Sequence, residues 1–149
     1  MIKSFYSLLS LGILVVGCTG SRPMNLGVHD GKLAPCPASP NCVSSQSADR
    51  DHAVEPFSFD RTPAEAMADL KKVLSAMPRV KIVTTTEFYL HAEFTSALFR
   101  FVDDVEFWCD ESSKVIHLRS ASRLGSSDLG VNRKRVEHLR SAMHALHPK

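Results

Sequence analysis

The spacing of apolar residues changes from helical to strand-like and back to helical along the chain, and this order predicts the fold. Residues 62–77 open with Thr62-Pro63-Ala64-Glu65, which has the form of a capping box with proline at the first helical position. Residues 80–122 alternate between apolar and polar positions, and helical spacing returns from about Val131. The sequence therefore predicts an α+β fold, in which an antiparallel sheet of three to four strands packs on an N-terminal and a C-terminal helix.

The last two predicted strands flank a hairpin-sized loop at residues 111–114. A symmetric register about this loop sets Phe107 opposite Leu118 and Glu106 opposite Arg119. Apolar side chains then face apolar ones and acid faces base, whereas a shift of one residue would scramble both faces.

The first eighteen residues have the pattern of an export signal. Lys3 is followed by an uncharged run over residues 5–16, which is too short to cross a bilayer, since that takes roughly 20 residues. The string Leu14-Val15-Val16-Gly17-Cys18 resembles the lipobox of bacterial lipoproteins. We therefore expect a signal peptide at 1–17, acylation of Cys18, a tether at 18–29 and a single domain at 30–149. The alternative is an ordinary secretory signal with an incidental cysteine.

Thr19 follows the acylated cysteine, where an aspartate would favour retention in the inner membrane. The sorting pattern of lipoproteins then implies the outer membrane, with the domain facing the periplasm.

The other three cysteines have different predicted roles. Cys36 and Cys42 flank a short segment, and in an oxidising periplasm we expect them to form a disulfide. A metal site completed by His29 and His52 is the weaker alternative, and no metal is predicted. Cys109 falls on the apolar face of its strand, which indicates a buried thiol.

Composition and the known sequence motifs argue against several classes of function. Eighteen Lys and Arg residues against sixteen Asp and Glu give a formal net charge of only +2, which does not suggest a nucleic-acid binder. The chain lacks the nucleophile elbow, the zinc-protease helix motif and the phosphate-binding P-loop. We therefore lean away from an enzyme and expect no cofactor.

A segment rich in arginine, serine and glycine joins the last strand to the final helix, a composition typical of ligand-binding loops. Helix N-termini and nearby arginines attract anions. The candidate anion ligands are Arg119, Ser120, Ser122, Arg123, Asp128, Asn132 and Arg133. Alternatively, Asp103, Asp104, Glu106 and Asp128 pair with the arginines, and Asp128 caps the helix.

The polar face of the predicted sheet is a second candidate. It carries Tyr89, His91, Glu93, Glu106, Trp108, His117 and Arg119. This face is either a recognition surface or covered by the loop of residues 30–60. His91 or His117 with Asp104 or Glu106 would form the proton-transfer pair of an unrecognised enzyme.

Four strings of the sequence, at 35–46, 99–107, 119–123 and 128–133, resemble the domain-of-unknown-function 1499 family, and the resemblance runs from about Leu26 to Leu146. The family is often found behind a signal or lipoprotein segment. The resemblance implies no activity, cofactor or ligand for these residues.

Taken together, these patterns predict a non-catalytic envelope lipoprotein that serves as a binding or interaction module. Its expected partners are the membrane, through the lipid anchor, and an anionic small molecule, lipid or cell-wall ligand. A protein partner is expected instead if the chain is an assembly or scaffold factor.

Overall fold

A computed structural model describes residues 19–147 of the chain. The predicted signal peptide and the acylation site, Cys18, therefore lie outside the described residues. The elements in chain order are β1 (Cys42–Ser44), β2 (Phe57–Ser58), α1 (Pro63–Ala76), β3 (Val80–Thr85), β4 (Tyr89–Thr95), β5 (Val102–Asp110), β6 (Val115–Ser122) and α2 (Val131–Ala145). The predicted α+β class is confirmed.

Helix α1 begins at the predicted capping box. The Thr62 hydroxyl accepts a hydrogen bond from the Glu65 backbone N–H at 3.3 Å, and the Glu65 carboxylate accepts one from the Thr62 N–H at 3.0 Å. These bonds satisfy backbone donors that a helix start otherwise leaves unpaired. The helix ends at Ala76, two residues before Pro78.

The four long strands β3, β4, β5 and β6 form an antiparallel meander, and β5 and β6 pair in the predicted register. Phe107 lies opposite Leu118, and Glu106 lies opposite Arg119. The alternation of apolar and polar positions therefore fixed both faces correctly in these two strands.

The sheet has six strands, more than the three to four predicted. The additional strands, β1 and β2, are three and two residues long, and both pair with β6. Strands this short cannot be recognised from alternating apolar and polar residues, since at least four residues are needed to show that pattern. They form because the edge of β6 offers unpaired backbone groups, and no local preference of their own predicts them.

Both helices pack on one face of the sheet and close the core. The fully buried apolar side chains of this layer include Leu70, Leu74, Phe107, Leu118 and Leu139. Cys109 is also buried there as a free thiol, and burial, aided by the charges of Asp110 and Glu111, raises its pKa to about 11. A thiol in this state is a packing residue and a poor nucleophile.

The opposite, polar face is crossed by residues 19–33, here called the strap. The side chain of Arg22 bonds Glu93 at 2.6 Å, and the Gly27 N–H bonds the Glu106 carboxylate at 2.7 Å. Farther along, Gly31 lies over Trp108. The described part of the segment predicted as a tether, 18–29, therefore makes specific contacts with the sheet.

The predicted disulfide between Cys36 and Cys42 is present, with a Cα–Cα distance of 5.6 Å. It joins the segment that follows the strap to the first residue of β1. Strand β1 in turn pairs with β6 through Cys42 and Ala121. The disulfide thus holds the returning chain against the edge of the sheet.

Candidate functional site

The polar face of the sheet holds a buried cluster of charged side chains. His91, Asp104, Glu106 and Arg119 are each at most 5% exposed. Charged groups at this depth are costly unless each is paired, so their partners determine what the cluster can do. The polar-face cluster consists of Tyr89, His91, Glu93, Asp104, Glu106, Arg119 and Arg123.

Asp104 is the most heavily bonded carboxylate of the cluster. It accepts bonds from Nε and Nη2 of Arg123, both at 2.8 Å, and its Oδ1 lies 2.8 Å from Nε2 of His91. Burial opposes ionisation of Asp104, but the hydrogen bonds from Arg123 and His91 outweigh it and lower the pKa of this carboxyl to about 2. Asp104 is therefore a fixed anion at neutral pH.

Glu93 links the cluster to the strap. Its Oε1 accepts bonds from Arg123 at 2.5 Å and from Arg22 at 2.6 Å. Burial alone would raise the pKa of Glu93, but the hydrogen bonds from the two arginines dominate and lower it. The guanidinium group of Arg123 is thus shared between two carboxylates.

Glu106 is fully buried and is bonded from three directions. It accepts bonds from the Tyr89 hydroxyl at 2.9 Å, from the Gly27 N–H at 2.7 Å and from Arg119 at 3.4 Å. Burial, together with the adjacent Glu106 charge, raises the pKa of Tyr89. Among residues 19–147, Nε of Arg119 is a buried nitrogen without a hydrogen-bond partner.

Trp108 and His117 stack at the far end of this face, with ring centroids 5.3 Å apart. A Cβ on Gly31 would lie 3.5 Å from the Trp108 ring, so the strap covers part of the indole. Nδ1 of His117 lies 3.2 Å from the Ser45 hydroxyl, and burial lowers the pKa of His117. The tryptophan is accordingly half-buried, as expected if the 30–60 segment covers it.

The predicted anion ligands divide between the two faces of the sheet. Arg119 and Arg123 lie on the polar face, whereas Ser120 lies on the helix face, where its hydroxyl donates to Oδ1 of Asn132 at 2.6 Å. Successive side chains of a strand point to opposite faces, so residues 119 and 120 cannot contact one small ligand. Composition alone groups the end of this strand with the loop that follows it. It therefore does not reveal that the side chains point to two different faces of the sheet.

The remaining candidates are bonded to the protein itself. Asn132 is fully buried and donates to the Asn41 carbonyl at 2.9 Å and to the Ser122 hydroxyl at 3.1 Å. Asp128 accepts from the backbone N–H groups of Gly130 and Asn132 at the start of α2.

Arg133 donates to the carbonyls of Asp51 and Ala53 at 2.9 and 2.7 Å. The alternative, in which acids pair with the arginines, therefore holds for Arg119 with Glu106 and for Arg123 with Asp104, but Arg133 bonds backbone carbonyls and the N-cap of α2 is Gly130.

The sequence interpretation missed one buried ion pair on the helix face. Arg135 of α2 pairs with Asp103, donates to the Ser120 hydroxyl at 2.9 Å and lies 4.8 Å from the centre of the Phe94 ring. The available signal was Asp103 itself, an acid at an apolar-face position of β5. A buried acid of this kind requires a cation from the covering helix.

A cavity of about 760 Å³ lies beside the disulfide. Its walls come from the strap, from residues 34–38 and from β1 with the loop that follows it. The side chains that line it include His29, Lys32, Leu33, Pro35, Gln46, Asp49 and His52. None of the residues predicted as anion ligands lines it.

His52 has a defined orientation in this cavity wall. It is buried, and its Nδ1 lies 2.8 Å from the Cys42 carbonyl oxygen. A carbonyl only accepts, so Nδ1 carries a hydrogen, and Nε2 lies 3.8 Å from the Asp49 carboxylate. Gln46 also lines the cavity, and its side chain bonds the backbone of Gly31 and Leu33.

Two further properties bear on cofactors and membranes. Over residues 19–147, no group of three or more His, Cys, Asp or Glu side chains is arranged to hold a metal ion. Within the same span, no helix has the length and apolar character needed to cross a bilayer.

These features define an α+β sandwich whose polar sheet face is closed by its own ion pairs and by the strap. A family model described as "Protein of unknown function (DUF1499)" matches residues 32–143, and the chain belongs to this family. A comparison with curated proteins finds no match. The family match begins at Lys32, so the strap contacts of Arg22 and Gly27 lie outside it.

Replacing Arg123 by alanine should strongly destabilise the protein. The substitution leaves the Asp104 carboxylate buried without its bidentate partner, and removal of one member of a buried ion pair costs about 3–5 kcal/mol. The free energy of unfolding from urea titration measures the loss. The exposed Arg50→Ala is the matched control and should change stability by less than about 0.5 kcal/mol. Equal effects of the two substitutions would contradict the assigned pairing.

Lowering the pH should remove the contribution of Asp104 to the stability of the folded protein, and it should do so over a defined pH range. Its pKa is lowered from 3.8 to about 2 in the folded protein, so its stabilisation is complete above about pH 4 and is lost as the pH falls toward 2. The ¹³C signal of the Asp104 carboxyl should titrate near pH 2, and Arg123→Lys should raise this midpoint. A midpoint near 3.8 in the wild type would show that the ion pair does not form.

Proposed function

We propose that this protein is a non-catalytic binding module of the bacterial envelope, held by a lipid on Cys18 at the outer membrane and facing the periplasm. The binding site that we assign to it is the cavity of about 760 Å³ between the strap and the disulfide loop. This cavity is the observation that carries the proposal, because pockets of this size accommodate small organic ligands.

The closed polar face supports a binding role over catalysis. His91 and Asp104 do meet, as a proton-transfer pair would require, but they are only 2% and 1% exposed. Arg123 bonds both oxygens of Asp104, and so the carboxylate already has a fixed cationic partner. His117 bonds Ser45 and stacks on Trp108, and it has no carboxylate partner among the described residues.

The cavity wall favours a small anion with an apolar part. Lys32 and the imidazoles of His29 and His52 supply a cation and hydrogen-bond donors or acceptors, whereas Leu33 and Pro35 supply apolar contact. Asp49 is the only acidic residue among the lining side chains within 19–147. In the envelope this description fits peptidoglycan fragments, which join carboxylates to acetylated sugars, and phosphate-bearing headgroups.

Ligand binding should therefore perturb the cavity and leave the arginine-rich segment unchanged. We expect a soluble muropeptide or glycerol phosphate to shift the amide NMR signals of residues 32–38 and 44–52, with inorganic phosphate as the simplest probe. Ala48→Trp places a large side chain in the cavity wall and should weaken binding by at least about tenfold. Ala68→Trp, at an exposed position of α1, is the control.

The proposal fails if none of the three probes binds, or if Ala48→Trp binds as tightly as Ala68→Trp. Signal shifts confined to residues 119–133 would return the anion site to the arginine-rich segment.

The lipid anchor has a separate test. A radioactive fatty acid supplied to cells that express the full chain should label the wild-type protein and leave Cys18→Ser unlabelled, because that cysteine is the acyl acceptor of the lipobox pattern. Cys109→Ser is the control and should keep the label, since Cys109 is buried in the core. Labelling of both serine variants would rule out Cys18 as the acceptor.

A further inference from the structure

Large apolar side chains are exposed together at one end of the sheet. Leu98 and Phe99 are 80% and 65% exposed in the turn between β4 and β5, and Leu129 is 87% exposed in the loop before α2. The rings of Phe99 and Phe101 stack at 5.6 Å, so the turn presents a joined aromatic surface. Exposed apolar groups gathered in this way mark an interaction surface.

The two loops lie side by side because of the register of β5 and β6. Asp103 pairs with Ser122, and the Arg123 N–H donates to the Val102 carbonyl at 3.2 Å. The turn at 96–101 and the loop at 124–131 therefore project from the same end of the sheet. We call this surface the docking end, formed by Leu98, Phe99, Phe101, Leu124 and Leu129.

The chain leading to Cys18 reaches the domain at this same end. A Cβ on Gly20 would lie 2.9 Å from Cβ of Arg123 and 3.1 Å from Cγ of Leu124, and the φ angle of Gly20 is +65°. This close approach and positive φ suit glycine alone. Two peptide units separate Gly20 from Cys18, a reach of at most about 7 Å.

Charge at this end complements an anionic lipid surface. Arg100 is exposed in the turn, and the exposed Arg79 lies at the same end of the sheet, since its carbonyl accepts from the Thr95 N–H at 3.0 Å. The nearby acid Asp128 is already bonded to the backbone at the start of α2. Basic side chains around apolar and aromatic ones are typical of surfaces that insert into the headgroup region.

We propose that the docking end binds directly to the phospholipid bilayer that holds the lipid of Cys18, with Leu98 and Phe99 inserted among the headgroups. This inference rests on the lipid anchor of the proposed function. A single anchor on a free chain would let the domain tumble, whereas a second contact at the docking end fixes its orientation on the membrane.

The test uses the lipidated protein in vesicles of phosphatidylethanolamine and phosphatidylglycerol, with a nitroxide spin label on Leu98→Cys. The control label is on Ser112→Cys, an exposed position in the turn at the opposite end of β5. We expect the label at 98 to be accessible to oxygen and shielded from a water-soluble nickel complex, and the label at 112 to show the reverse. Equal aqueous exposure of both labels would overturn the proposal.

A second variant separates insertion from simple proximity to the anchor. Phe99→Asp keeps the lipid on Cys18 but should shift a label at Leu129→Cys from lipid to aqueous accessibility, because the carboxylate opposes insertion near anionic headgroups. An unchanged accessibility at 129 would contradict insertion by the turn. Failure of the anchor itself shows separately, as loss of fatty-acid labelling and release from the vesicles.

Discussion

The pairing of Asp104 with Arg123 is the interaction on which the polar half of the molecule depends. Asp104 is 1% exposed, and its charge is tolerated because two guanidinium nitrogens and His91 surround it. A buried pair of this kind contributes little net stability compared with apolar packing, but loss of either partner leaves the other charge buried and unpaired. Arg123 reaches back over β5 from the end of β6, so the pair fixes where the chain leaves the sheet before α2. The same guanidinium bonds Glu93, which in turn holds Arg22 and thereby the start of the strap.

The strap meets the same electrostatic requirement, which is that a buried carboxylate must be paired. Glu106 has no exposed surface, and one of its three bonds comes from the Gly27 N–H. Without the strap this carboxylate would be exposed to solvent, and so would the Tyr89 hydroxyl that donates to it. Residues farther along the strap then line the cavity, so the position of the cavity wall is coupled to the ion pairs of the sheet. The cavity and the polar-face cluster are thus two parts of one assembly.

Much of the framework was predictable from the sequence, because it rests on local rules. The capping box at Thr62 and the opposition of Glu106 and Arg119 follow from spacing alone. Strands β1 and β2, the strap and the cavity were not predictable, since each forms through contacts between residues far apart in the chain. The arginine-rich segment shows most clearly where prediction from the sequence fails. Its composition indicated a loop that binds an anion, whereas strand alternation sends Arg119 and Ser120 to opposite faces, and buried partners bond both.

Coverage of both sheet faces explains why exposed apolar residues concentrate at one end. The helices cover one face, and the strap with its ion pairs covers much of the other, so the strand ends remain as open surface. At the β5–β6 turn the residues are Glu111, Ser112, Ser113 and Lys114, a hydrophilic set suited to water. At the opposite end the turn carries Leu98 and Phe99, whose burial no element of the described chain provides. An end of this composition would be a liability for a protein free in solution, whereas the proposed lipid on Cys18 would place a bilayer beside it as an apolar neighbour.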